Sequence, residues 1–396
     1  MVHGLAVMTI LVASLTTTPN CLSTDEDVEI YEEILATVKK WTGGRRQSAL
    51  SNETQLQEPK HEVEKQGREL FYNKSIVGKY PSLQVMNDWI WAARHTFPEL
   101  VKLVPIGKSF EQQEMTVVQV GNWKKTKPAI FIDGGMYGNE WGTIATANYI
   151  IDQLLRSSKN ERNETTLLDY YVWYILPVAN PDGFRYSQTT DASWRLTRSP
   201  DPFNSDCNGT DLNRNWQVHW GECCLADANC TEADIEHCGS NDTCHPHFWG
   251  DKPFSEPESE SIKNFIMTLK GQFVMYLSLH GTGQRWMYPW AYTRDPPEDL
   301  LLMQQIACNG TEAAESYNGT TFTHGSFAEL LYTAAGTSMD WARAEAGIQH
   351  AYTIQMRNSP SGEPRPAEDQ LLAACHEIWT GIQAAATAYR LESAKI

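Results

Sequence analysis

The stretch FIDGGMYGNEWG sets an acid, Glu140, on a glycine-rich turn behind an apolar run, and YLSLHG sets His280 at the end of another such run. A carboxylate and an imidazole from two strand ends are the kinds of donor that hold zinc, an ion that polarises carbonyls and activates water. The turn is one donor short. Tyr137, not a histidine, stands three places before Glu140, and a register shift of one residue offers only Met136 or Gly138. Taken alone, a histidine such as His280 is usually just a satisfied core residue. A second donor group, His237, His245 and His247, lies within and just after the cysteine cluster of residues 207–244. It would make a zinc knuckle, but no CxxC spacing accompanies it, and the crowded cysteines read better as a disulfide-stapled loop.

These residues need elements to position them. PSLQVMNDWIWAARHTFPEL reads as a helix, MTVVQVG and AIFIDGG as strands, and residues 143–157 as a helix. YYVWYILPVAN reads as a long buried strand, QFVMYLSLHG and AYTIQMR as further strands, and residues 366–391 as a closing helix. Apolar strands alternating with helices imply an α/β fold: a mixed parallel and antiparallel twisted sheet with helices on both faces. Such sheets place their sites at the carboxyl ends of strands, where Glu140 and His280 both fall.

The whole chain sets limits on function. Its 396 residues suffice for one large domain plus a leader, and a net charge of −17 argues against general nucleic-acid binding. Residues 5–15 form an apolar run too short to span a bilayer, which fits a signal peptide over residues 1–21, and no later run is long enough to span. Eight N-x-Ser/Thr sequons, at Asn52, Asn73, Asn163, Asn208, Asn229, Asn241, Asn309 and Asn318, suit a glycosylated, secreted, extracellular protein. Apart from Cys21 at the signal boundary the cysteine count is even, as in an exported, disulfide-bonded chain. Residues 22–77 read as a short amphipathic helix, with Tyr31, Ile34, Leu35 and Val38 on one stripe, followed by a polar linker. Residues 78–396 read as the main domain.

From about residue 78 to 392 the chain resembles the secreted zinc metallocarboxypeptidases of the carboxypeptidase A/B type. The likeness rests on ordered motifs: IGKSFE, FIDGG, NPDGFRYSQT, WRLTRS, TDLNRNW, KPFSEPES, LSLHG followed by YPW and YT, and SMDW. It implies a metal held by two histidines and a glutamate, with Glu140 and His280 as two of the ligands and Tyr137 in place of the third. A phenol must ionise near pH 10 to bind zinc well, so zinc, the family's cofactor, is expected to bind poorly here. Asp211 matches a carboxylate that orients the missing histidine, and it is expected to accept from another donor, Tyr137 being one candidate. The resemblance also puts Gln355, in QMRN, where the family carries its general base, and a neutral amide cannot take up the proton.

The binding half is retained. The resemblance makes Arg195 the oxyanion-stabilising arginine, Asn213 and Arg214 the grip on a substrate carboxylate, and Tyr332 a mobile cover. Met339 matches the floor of a side-chain pocket that favours an apolar or aromatic terminal residue, with Thr337 in place of a glycine beside it; Met339 reads equally as core. Asn139 replaces an arginine next to Glu140. Cys207 with Cys244 is the family's bridge, and Cys308 with Cys375 is the pairing left over. The expectation is an inactive pseudoenzyme that binds peptide or protein C-termini. The alternatives are an active zinc carboxypeptidase with an atypical ligand set and an extracellular scaffold.

Overall fold

A computed structural model of the chain describes residues 71–72, 76–122, 127–158, 166–200, 207–223, 230–359 and 362–394. The signal peptide, the helix of residues 25–41, almost all of the linker after it and four of the sequons, Asn52, Asn73, Asn163 and Asn229, lie outside the described residues.

The elements run α1 (Leu83–Thr96), β1 (Val101–Lys108), β2 (Glu114–Val120), β3 (Ala129–Asp133), α2 (Trp141–Ser157), α3 (Leu167–Tyr170), β4 (Val172–Leu176) and α4 (Pro181–Thr189). They continue with α5 (Glu232–His237), α6 (Pro257–Thr268), β5 (Phe273–Thr282), β6 (Arg285–Tyr288), α7 (Leu300–Asn318), β7 (Thr323–Ser326), α8 (Phe327–Leu330), α9 (Ser338–Ala344), β8 (His350–Met356) and α10 (Glu368–Ser393). The strands form one mixed sheet of order β1-β2-β4-β3-β5-β8-β6-β7. Its centre, β4-β3-β5-β8, is parallel, and the flanking β1, β2 and β6 run antiparallel to their inner neighbours.

Each central strand feeds two cores because successive side chains point to opposite faces. Ile130 and Ile132 of β3 join a cluster with Trp173, Leu277 and residues of α2 and α10. Ala129 and Phe131 join the opposite cluster with Tyr276, Ile262 of α6 and Trp341 of α9. Burial on both faces explains why these strands are apolar throughout. YYVWYILPVAN yields only five strand residues, fewer than its apolar run implies. Pro177 has no N–H for the ladder, and the Ala179 and Asn180 amides turn back onto the Gly134 and Gly135 carbonyls.

The cysteine-rich segment is stapled by Cys207–Cys244 and Cys223–Cys238. The pairing of Cys308 with Cys375 is wrong: Cys308 is disulfide-bonded, whereas Cys375 is a buried free thiol. Cys375 sits on α10 and accepts from the Thr146 hydroxyl on α2 at 3.4 Å. Burial pushes its pKa up to about 12. Iodoacetamide is therefore expected to leave Cys375 unlabelled in the native protein and to modify it after denaturation; peptide mass mapping reads this directly. Asn309 is a sequon in sequence only. It lies within α7, is 7 % exposed, and its amide donates to the Gln305 carbonyl, which leaves no room for a glycan.

Candidate functional site

The site lies at the carboxyl ends of β3, β5 and β8. Where β3 ends, the chain turns through Gly134 and Gly135 into α2. Gly135 has a φ of +63° and packs against Ile144 so closely that a Cβ would lie 2.8 Å from that side chain. The Thr143 hydroxyl ties the turn together, donating to the Glu140 carbonyl and accepting from the Gly135 amide, both at 2.8 Å. Glu140 thereby stands at the start of α2. A second loop is pinned to the turn by Gly138 N–H to Arg195 O at 3.0 Å, and Asn180 holds it by donating to Leu196 O at 2.9 Å. Tyr137 and Arg195 are brought face to face.

In the sheet, β5 lies in register with β8 so that His280 is paired with Gln355. The Asn213 amide nitrogen donates to His280 Nε2 at 3.3 Å, so the ring's proton sits on Nδ1, 3.4 Å from Glu140 Oε2. That oxygen has no hydrogen-bond partner among the described residues. Two of the expected donors thus converge, and the third does not. The Tyr137 ring meets His280 edge-on, with centroids 5.2 Å apart, and the Arg195 guanidinium carbon lies 3.9 Å from its centroid. Burial, aided by Asp211, pushes the phenol above its ordinary ionisation range against the pull of Arg195 and Arg214. A neutral phenol under a guanidinium is a poor ligand, and a zinc ion would face that cation. No group of three or more His, Cys, Asp or Glu side chains able to hold a metal occurs among the described residues. The donor set does not fit a catalytic zinc.

Gln355 is equally fixed. Gln355 Oε1 accepts from Arg285 at 3.1 Å, because β6 and β8 pair these two residues. Arg285 carries no motif and was not identifiable from the sequence; only the antiparallel register of a four-residue strand reveals it.

Asp211 does not turn to Tyr137. It is fully buried and accepts from Arg195 at 3.0 Å, His247 Nδ1 at 2.9 Å and the Asn213 backbone amide at 3.0 Å. Burial alone would raise its pKa, but Arg195, Arg214 and the His247 bond together drive it far below the usual carboxylate range. Arg214 is 2 % exposed. It places Nε and Nη2 on the His237 carbonyl and Nη1 on that of Asn213, which leaves one N–H on each terminal nitrogen. Asn213 Oδ1 accepts from Ser338. Tyr332 packs on the His237 ring, with centroids 4.7 Å apart. Met339 lies in the lower core, 1 % exposed, with the Thr353 hydroxyl 3.6 Å from its sulfur. Asn139 is turned away to the Ser193 carbonyl. The knuckle reading of His237, His245 and His247 also fails: His247 is bonded to Asp211 and His237, while His245 accepts from the His247 amide.

A family model described as zinc carboxypeptidase matches residues 86–381. The chain belongs to the zinc carboxypeptidase family. It is 32 % identical over 307 residues to carboxypeptidase B of Astacus astacus, covering 78 % of this chain and 96 % of that protein. To a zinc carboxypeptidase of Simulium vittatum it is 36 % identical, with 70 % and 86 % covered. Among solved structures, bovine thrombin-activatable fibrinolysis inhibitor in complex with tick carboxypeptidase inhibitor matches with a TM-score of 0.69 and 29 % identity, over 80 % of this chain and 99 % of that one. Within this zinc carboxypeptidase fold, Tyr137 and Gln355 both lie beside His280, the first edge-on to its ring and the second paired with it across β5 and β8. No helix among the described residues is long and apolar enough to cross a membrane.

Proposed function

We propose that this chain is a secreted, non-catalytic member of the zinc carboxypeptidase family that captures the C-termini of peptides or proteins. The observation that carries this reading is an imbalance within one cleft. The hydrolytic corner offers a phenol, an amide and a Glu140–His280 couple 3.4 Å apart, whereas the neighbouring corner holds two guanidiniums, Arg195 and Arg214, against the carboxylate of Asp211. An incoming carboxylate supplies the missing negative charge. Arg195, 25 % exposed, is the arginine it meets first, and displacement of Tyr332 admits it to the free N–H groups of Arg214. The sequons and disulfides of the chain support export.

The test is binding of Ac-Gly-Gly-Phe against its C-terminal amide, by calorimetry. The free acid is expected to bind at least about tenfold tighter, the difference a charge-assisted pair makes at a partly buried site. Equal affinity removes the reading. One observation favours a second reading, an active metalloenzyme: Glu140 Oε2 lacks a hydrogen-bond partner among the described residues and faces His280 Nδ1. Stoichiometric zinc in the purified protein, with chelator-sensitive release of C-terminal residues, would establish it.

A further inference from the structure

The carboxylate corner contains a feature that the resemblance does not supply. Three side chains form a line from the interior to the surface. Asp211 Oδ2 lies 2.9 Å from His247 Nδ1, His247 Nε2 lies 3.2 Å from His237 Nδ1, and His237 Nε2 lies 3.8 Å from the exposed carboxylate of Glu236. Exposure rises along the line: the Asp211 side chain is 0 % exposed, that of His247 9 % and that of His237 34 %.

Proton positions follow from donor chemistry. Asp211 is ionised and can only accept, so His247 Nδ1 carries a hydrogen and Nε2 keeps its lone pair. His237 Nδ1–H then donates to it, leaving His237 Nε2 free beside Glu236. A proton arriving at His237 Nε2 allows the Nδ1 proton to pass to His247 Nε2. The His237–His247 bond survives with its direction reversed, His247 Nδ1 still donates to Asp211, and His247 becomes an imidazolium. The pair takes up one proton as a unit. The charge arrives next to Arg195, whose Nη1 lies 3.3 Å from His247 Nδ1, without any movement of the backbone.

The groups facing His247 are Asp211, Arg195 and Arg214 from the cleft, His237 and His245 from its own segment, and Glu236 and Tyr332 through His237. Burial, with Arg214 and Arg195 beside it, lowers the readiness of His247 to charge more than Asp211 raises it. His247 without a ligand is thus reluctant to take up a proton. A ligand carboxylate in this corner adds the negative charge that stabilises the imidazolium.

We infer that His247 and His237 belong to the binding site as a proton-taking pair, so that capture of a carboxylate is coupled to uptake of one proton and tightens as the pH falls from 7.5 to 5.5. This rests on the reading of the cleft as a carboxylate receptor. It adds two binding residues and a condition, mild acidity, under which the receptor is loaded.

The test is calorimetry of Ac-Gly-Gly-Phe binding at pH 7.5 and 5.5, repeated in buffers of different ionisation enthalpy to count protons. The peptide carboxylate stays ionised over this range. The wild type is expected to bind roughly tenfold tighter at the lower pH, with net proton uptake, since one unit of linked pKa shift is a factor of ten. His247→Gln, which can still donate to Asp211 but does not titrate, is expected to lose the pH dependence. A free-acid preference that is flat with pH, or a His247→Gln variant as pH-dependent as the wild type, overturns the inference and leaves the proposed function standing. Equal binding of acid and amide at both pH values overturns the proposed function instead. NMR titration of the unliganded protein examines the pair directly, with resonances assigned through His237→Gln and His247→Gln. Coupled titration supports it, and two independent midpoints near the ordinary histidine value overturn it.

Discussion

Tyr137→His combined with Gln355→Glu is expected to give a protein that holds about one zinc per chain and releases C-terminal residues in a chelator-sensitive manner, a tetrahedral site being complete with three protein donors and water. The wild type is expected to hold well under one. Glu140 Oε2 and His280 Nδ1 already converge at 3.4 Å, so a single substitution supplies what is missing. Tyr137→His alone should bind metal. Gln355→Glu alone should not, because it adds no third ligand on the turn. Activity needs both changes: general-base catalysis is worth about 10²–10⁴-fold, which is the expected gap between the single histidine variant and the double variant. Recovery stops short of a full enzyme for two reasons visible in the structure. Arg285, paired with position 355 across β6 and β8, would hold a glutamate there as an ion pair and weaken it as a base. Asp211, already occupied by Arg195 and His247, would have to serve a new imidazole as well. Elemental analysis and a C-terminal release assay decide the matter. A wild type with stoichiometric zinc, or a Tyr137→His protein without any, refutes this account of the lost site.

Whether a feature could be read from the sequence depended on how local its cause is. β3, β4, β5 and β8 announce themselves because burial on both faces demands uninterrupted apolar runs. β1 hides behind Pro105, Gly107 and a bulge, as an edge strand can. β6 and β7, four residues each, are too short to show any alternation. At the site, Glu140, Tyr137 and His280 were visible because turn chemistry and strand ends are local, and the resemblance then drew attention to Gln355. Arg285 was not visible, since its role comes from cross-strand register alone. Asp211 is legible as an acceptor for some other donor, but the donor is not, and the candidate Tyr137 is not it. The side-chain partners of Asp211 come from a loop sixteen residues earlier in the chain and from His247, thirty-six residues later and just past the Cys207–Cys244 bridge, and no pattern links them. Counting cysteines failed for the same reason, because parity says nothing about the direction in which Cys375 points from α10.

That corner also carries the largest expected effect on stability. Asp211→Asn should destabilise the fold by about 3–5 kcal/mol, the range seen when one partner of a buried ion pair is removed and the other charge is left behind. The carboxylate is fully buried and is the counter-charge for both Arg195 and Arg214, whose guanidiniums have no other acid among their hydrogen-bond partners. An asparagine keeps the shape and can still accept from the Asn213 amide, so the loss is one of charge and not of packing. The pH dependence follows from the sign of the shift. Burial would raise the Asp211 pKa, but the two arginines and His247 override it and hold it well below the unfolded value. The unfolded chain therefore binds the proton first, and the stabilisation is complete above roughly pH 4 and lost progressively below it. Urea unfolding of wild type and Asp211→Asn should show a difference that narrows from pH 5 toward pH 3. Adding Arg195→Met to Asp211→Asn should recover part of the loss, since one uncompensated cation disappears. A difference below about 1 kcal/mol at pH 7, the range of an exposed pair, or one that does not narrow in acid, would mean that solvent and not Asp211 balances the arginines.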